Sequence, residues 1–362
     1  MSARTIFSPI LPLIEDEFMV RHARASSIFI FPSLGYAISV FFTGFYSGRF
    51  GYRKAITFSF AIASLVLFLI SFVKVFSAFY VLAFILGLAL GIYLPAAIPF
   101  ITEHFAENRW SKSIAIHDSA APISIFCTPF IILFILHIRT WRGVFEVYAA
   151  AFLMSALIFY LISDEVEIAS SQKIRLSHLF KIQSLWTSSI LWIVATGANL
   201  GLYLILPLYL TKELSLSIEY ANSILGTSRL GGIGVAILCS FLIDKFNLKR
   251  ILFLIFLLSS IFTFLTGVAP VNFIGFCLFF QAFFVTGFFP VGLVAITKTF
   301  NKEERSMAIG IILACSLAFG GGSVPYLLGV AGDLLSFRFG ISILGILVGL
   351  SSLLTLSMKE LE

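Results

Sequence analysis

The feature that most constrains this chain is a series of long runs without one charged side chain. These runs are 55–73, 75–102, 182–211, 251–297, 306–332 and 339–358. About 20 helical residues cross a hydrocarbon core about 30 Å thick, so each run can hold a membrane-spanning helix, and 251–297 can hold two. Charged residues make up 12% of 362, about half the share of a soluble protein. A water-soluble fold is therefore excluded.

Cutting the chain at charges and turn residues predicts an all-α integral membrane protein with about 12 transmembrane helices. The predicted helices are 1–14, 27–48, 54–73, 77–102, 112–137, 143–162, 187–211, 218–243, 249–269, 272–297, 306–330 and 337–357. The first is too short to cross the bilayer. We therefore expect helix 1 to be truncated, with a turn or two missing upstream.

The basic residues predict the orientation. The loops after even-numbered helices, with the C-terminus, carry 15 Lys and Arg, whereas the other loops carry 7. Cytoplasmic loops attract Lys and Arg, so the chain is predicted to be a multi-pass plasma (inner) membrane protein with a cytoplasmic C-terminus. The net charge of +6 lies mainly in short loops, which argues against a nucleic-acid partner.

An internal repeat predicts the domain organisation. At an offset of 196 residues, Glu17 matches Glu213 and Arg142 matches Arg338. Duplicated halves in the same orientation predict two six-helix bundles related by a pseudo-twofold axis along the membrane normal. The predicted domains are 1–162 and 185–362, joined by a cytoplasmic linker, 163–184, with a short amphipathic helix near 176–182.

The loops after helices 2 and 8 carry matching motifs. The motif residues are Gly44, Arg49, Gly51, Arg53 and Lys54 in the first copy, and Asp244, Lys245, Lys249 and Arg250 in the second. This pattern resembles the loop between helices 2 and 3 of the major facilitator superfamily (MFS), although Gly48 stands where the family has Asp. The resemblance covers the chain apart from the short first helix.

The resemblance implies the MFS fold, and it implies that these loops latch the bundles on the cytoplasmic side. The alternative is that the basic residues only anchor the loops at the membrane surface. Helix 5 has no glycine between Ser113 and Leu136, so it lacks the glycine-rich motif of the family's drug-proton antiporters. Gly48 leaves open a non-transporting membrane sensor on the same fold.

Two arginines are predicted near mid-membrane. Arg4 and Arg229 lie about 15 Å deep, because each is ten or eleven residues from an acid at the end of its helix. The repeat aligns Arg4 with Asn199 at an offset of 195 residues, and Ser33 with Arg229 at an offset of 196. Since no acid is expected at that depth, these four residues are predicted to bind an anionic substrate. The resemblance also implies an anionic substrate, because family members that have central arginines carry organic phosphates or carboxylates. Alternatively, the arginines snorkel or pair with backbone carbonyls.

His117 and Asp118 on helix 5 are candidates for proton coupling, because histidine titrates near neutrality. The alternative is a structural contact near the cytoplasmic end of the helix. Glu146 is predicted to pair with Arg142, four residues earlier.

Motifs of hydrolases, nucleotide-binding enzymes and metal sites are absent from the sequence. The chain is therefore predicted to be no enzyme and to need no cofactor and no metal. We expect a monomeric secondary transporter that works by alternating access. It would carry a small organic anion, carboxylate or phosphate-like, as a symporter with H+ as the coupling ion. The alternative in the same class is efflux of drugs or hydrophobic compounds.

Overall fold

A computed structural model describes residues 1–164 and 179–358, and within these ranges the chain forms helices joined by short turns. The first half contains six helical segments in the predicted order. They are Ser2–Thr5 with Phe7–Phe18 (helix 1), His22–Ser26 and Ser27–Phe29 with Ile30–Phe50 (helix 2), Tyr52–Ile70 (helix 3), Ser77–His104 (helix 4), Trp110–Leu136 (helix 5) and Trp141–Ile162 (helix 6).

The second half repeats this order with more interruptions. Its helices are Gln183–Thr196, Gly197–Gly201, Leu202–Leu208 and Tyr209–Glu213 (helix 7), Ile218–Thr227 with Leu230–Lys245 (helix 8), Leu248–Val268 (helix 9), Val271–Thr299 (helix 10), Lys302–Cys315, Ser316–Ser323 and Val324–Leu334 (helix 11), and Phe337–Thr355 (helix 12). The all-α fold of two six-helix bundles is confirmed.

Nine helices within the described residues are long and apolar enough to cross a membrane. Helix 8 differs because it is interrupted between Thr227 and Leu230. Helix 1 continues to Phe18, four residues beyond its predicted end, and Met19 closes it in the left-handed conformation. Its acidic last turn stays helical because carboxylates tolerate the water interface at a helix end.

The repeat is visible in two corresponding contacts at the ends of helices 1 and 7. Glu17 pairs with Arg142 at 2.6 Å, and Arg142 also donates to the Val73 carbonyl at 3.0 Å. In the second half, Glu213 accepts from the backbone N–H of Arg338 at 3.2 Å, and the Arg338 guanidinium donates to the Ala269 carbonyl at 2.9 Å. Each bundle thus fastens its first helix to its last by residues 196 apart.

One predicted ion pair is wrong. Glu146 pairs with Arg139, seven residues earlier, at 3.1 Å, because the guanidinium of Arg142 is taken by Glu17. Residues 165–178 of the predicted linker 163–184, which include the first part of its amphipathic segment near 176–182, lie outside the described residues. The domain boundaries stay predictions.

The two bundles meet most closely at one end. We call this end the loop 1–2 face, since it contains the turn between helices 1 and 2, and the opposite end the C-terminal face. Lys212 of helix 7 forms an ion pair with Asp16 of helix 1. Asp333 of helix 11 accepts from the backbone of His22 at 3.0 Å. The bundles are therefore joined at the loop 1–2 face.

Contacts between the bundles continue to mid-depth through helices 1, 5, 7 and 8. Ser8 donates to the Tyr203 carbonyl at 3.0 Å, and the Tyr203 hydroxyl donates to the Ile125 carbonyl at 3.1 Å. Nearer the C-terminal face, every residue of 115–120 on helix 5 except His117 is exposed. These residues span more than a full helical turn, so this part of helix 5 is exposed on several sides.

Candidate functional site

Arg229 lies at the interruption of helix 8, where it precedes the second helical segment. The hydroxyl of Thr227 donates to the Ser223 carbonyl at 2.7 Å, and that of Ser228 donates to the Leu225 carbonyl at 2.9 Å. Such bonds compete with the backbone ladder and bend helices. Two glycines, Gly231 and Gly232, follow after Leu230. The local sequence thus permits a break beside the buried arginine.

Asn199 of helix 7 holds the Arg229 guanidinium. Nη1 donates to Asn199 Oδ1 at 2.9 Å, and Nη2 donates to the Asn199 carbonyl at 3.2 Å. That carbonyl belongs to the π-helical turn Gly197–Gly201, whose hydrogen-bond pattern departs from the α-helix. The guanidinium also lies over the Tyr203 ring, 4.7 Å from its centroid.

These partners leave the positive charge of Arg229 unneutralised within the described part of the chain. Arg229 is 6% exposed. Its Nε is buried without a hydrogen-bond partner. Of the ion pairs formed by residues 1–164 and 179–358, none includes Arg229. A buried guanidinium held only by neutral groups can attract an anion.

Neighbouring polar groups orient Asn199 and its turn. Asn199 Nδ2 donates to Thr286 Oγ1 at 3.2 Å, and Gln281 Nε2 donates to the Ala198 carbonyl at 2.8 Å. The candidates identified from the sequence do not include Thr286. Nothing in the sequence marks Thr286, because its role depends on how helix 10 packs against helix 7.

Arg4 has a corresponding environment in the first bundle. Its guanidinium lies over the Tyr36 ring, 4.6 Å from the centroid. Arg4, Ser33 and Tyr36 line a cavity of about 10 Å³ together with Leu200 and Leu204 of helix 7. This volume is close to that needed for one water molecule.

The four predicted substrate-binding residues therefore form two pairs, one in each bundle. Arg229 is hydrogen-bonded to Asn199, and Arg4 lines a cavity with Ser33. In the first bundle the arginine is on helix 1 and the small polar residue on helix 2. In the second, the arginine is on helix 8 and the amide on helix 7. The two pairs thus occupy equivalent positions of the repeat. The arginine lies on the first helix of the pair in one bundle and on the second helix of the pair in the other.

His117 and Asp118 contact each other on helix 5. His117 Nδ1 lies 2.9 Å from Asp118 Oδ1, and His117 Nε2 lies 3.0 Å from the Tyr93 hydroxyl. The Asp118 side chain is 61% exposed, whereas that of His117 is 19% exposed. The pair forms a polar chain with helix 4 toward the C-terminal face.

The structure describes only part of the two motifs in the loops after helices 2 and 8. Gly51 has a φ of 82°, a conformation that favours glycine, where helix 3 begins. Arg53 donates to the Tyr160 carbonyl of helix 6 and lies over the Tyr160 ring at 4.4 Å. The side chains of Arg49 and Asp244, and the surroundings of Gly44, lie outside the described part of the structure. Arg53 therefore holds its loop to its own bundle.

In the second copy of the motif, Asn247 caps helix 9. Its Oδ1 accepts from the backbone N–H of Lys249 at 2.9 Å and of Arg250 at 3.4 Å. Lys245 is exposed. The proposed latching of the two bundles by these motifs stays a prediction. Among the described side chains there is also no group of three or more His, Cys, Asp or Glu that could hold a metal ion.

Two packed six-helix bundles with polar residues between them define the architecture of a membrane transporter. The sequence profile of the Major Facilitator Superfamily matches residues 1–239 and 196–360. The chain belongs to this superfamily and is a multi-pass membrane transporter. A comparison with curated proteins finds no match.

Solved structures of other transporters share the fold. A bacterial homologue of the human lysosomal transporter Spinster, inward-facing and unoccupied, has a TM-score of 0.82 at 12% identity, over 99% of this chain and 94% of that one. A D-xylose-proton symporter has a TM-score of 0.79 at 18% identity, over 98% and 93%. The nucleoside transporter NupG has a TM-score of 0.80 at 14% identity, over 99% and 97%.

Proposed function

We propose that this protein is a secondary active transporter of a small organic anion, carboxylate or phosphate-like, driven by a proton gradient. The observation that carries the proposal is the buried Arg229 guanidinium, held by the amide and carbonyl of Asn199 at 2.9 and 3.2 Å. A charge in the membrane interior costs about 2.5–3.5 kcal/mol even on lenient scales. An anionic substrate that supplies the counter-charge offsets this cost.

The chemistry of arginine favours a carboxylate or phosphate. A guanidinium remains protonated at physiological pH, and its planar fork matches two oxygens of such a group. Arg229 Nε has no hydrogen-bond partner among the described residues. Arg4, with Ser33 beside it, supplies a second positive charge from the opposite bundle. A substrate between the bundles would contact both, so binding would depend on their relative position.

His117 and Asp118 are the proposed route for the coupling proton. An imidazole between a carboxylate and a phenol, at 2.9 and 3.0 Å, can pass a proton between them. The exposure of Asp118 gives the pair a path to water on the C-terminal face. On the predicted orientation, that face is cytoplasmic.

Efflux of a hydrophobic compound is a second candidate. An open cavity of about 580 Å³ lies between helices 3, 4 and 6 and is mainly apolar, with Phe60, Phe100 and Phe159 among its lining residues. This cavity would accept an apolar molecule. It includes none of the four predicted substrate-binding residues, so the two candidate functions predict different sensitive positions.

Transport by purified protein in liposomes separates the candidates. Labelled monocarboxylates, dicarboxylates and organic phosphates are offered with and without an imposed pH gradient. We expect Arg229→Gln to raise the apparent substrate Kd by about 30-fold or more, since removing one partner of a buried charge interaction costs about 2 kcal/mol or more.

Arg139→Gln is the matched control. Arg139 is exposed and pairs with Glu146 at 3.1 Å, so its loss should leave anion transport unchanged. Anion transport that persists in Arg229→Gln would refute the central-anion proposal. Transport of hydrophobic dyes that is sensitive to Phe100→Ala would favour efflux. Binding without transport of any tested compound would favour a sensor.

A further inference from the structure

Five ionisable side chains meet where the bundles close at the loop 1–2 face. We call them the seam cluster. Its members are Glu15 and Asp16 of helix 1, His22 of helix 2, Lys212 of helix 7 and Asp333 of helix 11. The first three belong to one bundle and the other two to its partner. The cluster lies at the opposite end of the molecule from His117 and Asp118.

His22 is held by contacts from both bundles. Its Nδ1 lies 2.8 Å from Glu15 Oε2, and the side chains are 27% and 7% exposed, respectively. Its backbone N–H donates to Asp333 Oδ1 at 3.0 Å. Its ring centroid is 5.0 Å from that of Phe337, which belongs to helix 12. The histidine is therefore fixed against Glu15 on its own side and against Asp333 and Phe337 across the seam.

The charges of the seam cluster do not balance while His22 is neutral. Lys212 pairs with Asp16 and lies 3.9 Å from Glu15. Asp333 accepts from the backbone N–H groups of His22 and Ala23, both at 3.0 Å. Three carboxylates thus share one lysine. A proton on His22 reduces this excess of negative charge from two to one, next to the buried Glu15 and opposite Asp333.

The surroundings of His22 favour its charged form. Glu15, as hydrogen-bond partner, raises the pKa of His22 above its ordinary value, aided by the charge of Asp333; burial and Lys212 act in the opposite direction. His22 begins the first helical segment of helix 2 and lies outside the predicted spans 1–14 and 27–48. The ionisable groups around it are Glu15 and Asp16 on helix 1, Arg21 and Arg24 on its own segment, Lys212 on helix 7 and Asp333 on helix 11.

We propose that His22 and Glu15 form a proton-binding site that controls closure of the loop 1–2 face. The proton sits on the His22 imidazole and is shared with Glu15. The resulting imidazolium attracts the Asp333 carboxylate and the Phe337 ring across the seam, and so holds the bundles together. Release of the proton to solvent removes this attraction, and the face opens.

The direction of the pH dependence follows from the difference in the pKa of His22 between the closed and open states. Asp333 and Phe337 stabilise the imidazolium only while the face is closed, so the pKa of His22 is higher in the closed state than in the open state. Closure is favoured at low pH and is lost as the pH rises through the closed-state pKa. A difference of about one pKa unit between the states changes the ratio of open to closed protein about tenfold.

Spin-label distances across the seam test the proposal. Met19→Cys and Leu335→Cys place labels on exposed positions of the two bundles, after Cys127, Cys239, Cys277 and Cys315 have been replaced by serine. Distances are measured without substrate in lipid nanodiscs at about pH 5 to 9, a range that brackets the ordinary histidine pKa of about 6.5. We expect the long-distance population to grow with pH, up to about tenfold relative to the short one.

His22→Gln should abolish this pH dependence and leave the open fraction near its high-pH level. Glu15→Gln, which removes the acceptor but keeps the histidine, should move the midpoint toward lower pH. His104→Gln is the matched control, because His104 contacts only its own helix in the described contacts and should retain the wild-type response.

An unchanged response in His22→Gln, or a wild-type protein whose distances do not vary with pH, would overturn the proposal. If His22→Gln does not fold, the midpoint of Glu15→Gln decides, since an unchanged midpoint contradicts the proposed site. The measurement uses no substrate and no transport. Its outcome is therefore independent of whether the transported molecule is an anion.

Discussion

At the scale of single residues, the two arginines show what a repeat in sequence can and cannot predict. The offset predicted that Arg4 corresponds to Asn199 and Arg229 to Ser33. It could not predict that Asn199 would bind Arg229 through both its amide and its carbonyl. That second bond depends on a π-helical turn, which has no reliable signal in the sequence. The binding role of all four residues remains a proposal.

Asn199→Asp tests whether the substrate is the counter-ion of Arg229. The new carboxylate would lie where Oδ1 now accepts from Nη1 at 2.9 Å, and it would neutralise the guanidinium internally. We expect thermal stability to be retained, because the Thr286 hydroxyl can donate to the new acid. Substrate Kd should rise about 30-fold, equivalent to about 2 kcal/mol, as measured by binding to protein in detergent.

The control for this prediction is Asn199→Ala, which removes the amide but leaves the guanidinium cationic. Its substrate Kd should stay much closer to that of the wild-type protein than the Kd of Asn199→Asp does. Wild-type affinity in Asn199→Asp would mean that the charge of Arg229 is not what binds the substrate.

At the scale of helices, the sequence predicted which helices exist and in what order better than it predicted where a helix is interrupted. Charge-free runs and turn residues identified in order the twelve helices that the described residues form, because the bilayer imposes a minimum apolar length. The break after Thr227 was missed because apolar residues lie on both sides of the short polar stretch from Thr227 to Arg229. Its local cause, hydroxyl groups bonded to the preceding turn, would also fit an unbroken helix. Packing of the bundles decides which form occurs.

Gly329 on helix 11 tests how close packing of helices closes the loop 1–2 face. A Cβ at this position would lie 2.0 Å from Ser26 Oγ and 2.8 Å from the His22 carbonyl of helix 2. Gly329→Ala must therefore push helix 11 away from helix 2. We expect the closed state to lose about 1–3 kcal/mol, the usual cost of overpacking. The same spin-label pair across the seam measures the shift toward the open state.

Gly310→Ala is the matched control, since a Cβ there meets nothing within 4 Å and lies on the same helix. Both variants gain about 1 kcal/mol of helix propensity over glycine, so their difference isolates the contact with helix 2. Equal distance distributions in the two variants would show that this contact does not limit opening.

At the scale of the whole molecule, the repeat explains the architecture, whereas the conformation follows from contacts that differ between the two ends. Lys212 and Asp333 hold the loop 1–2 face to the opposite bundle. Helix 5 is exposed on several sides toward the C-terminal face. The sequence could not predict which end is closed, because an alternating-access transporter uses one sequence for both conformations. With the orientation predicted from the basic residues, an open C-terminal face would correspond to an inward-open state.

Cysteine labelling tests this state and the orientation together. In a background without the four native cysteines, Ser119→Cys places a thiol beside the exposed Asp118, whereas Ser8→Cys places one at a fully buried position between the bundles. Both changes replace the same side chain, so their intrinsic reactivities are comparable. We expect a membrane-impermeant maleimide to modify Ser119→Cys only from the cytoplasmic side and to leave Ser8→Cys unmodified from both sides.

Modification of Ser119→Cys only from the external side would show that the orientation is the reverse of the predicted one. Rapid modification of Ser8→Cys from the loop 1–2 face would show that this face, and not the C-terminal one, is open in the membrane.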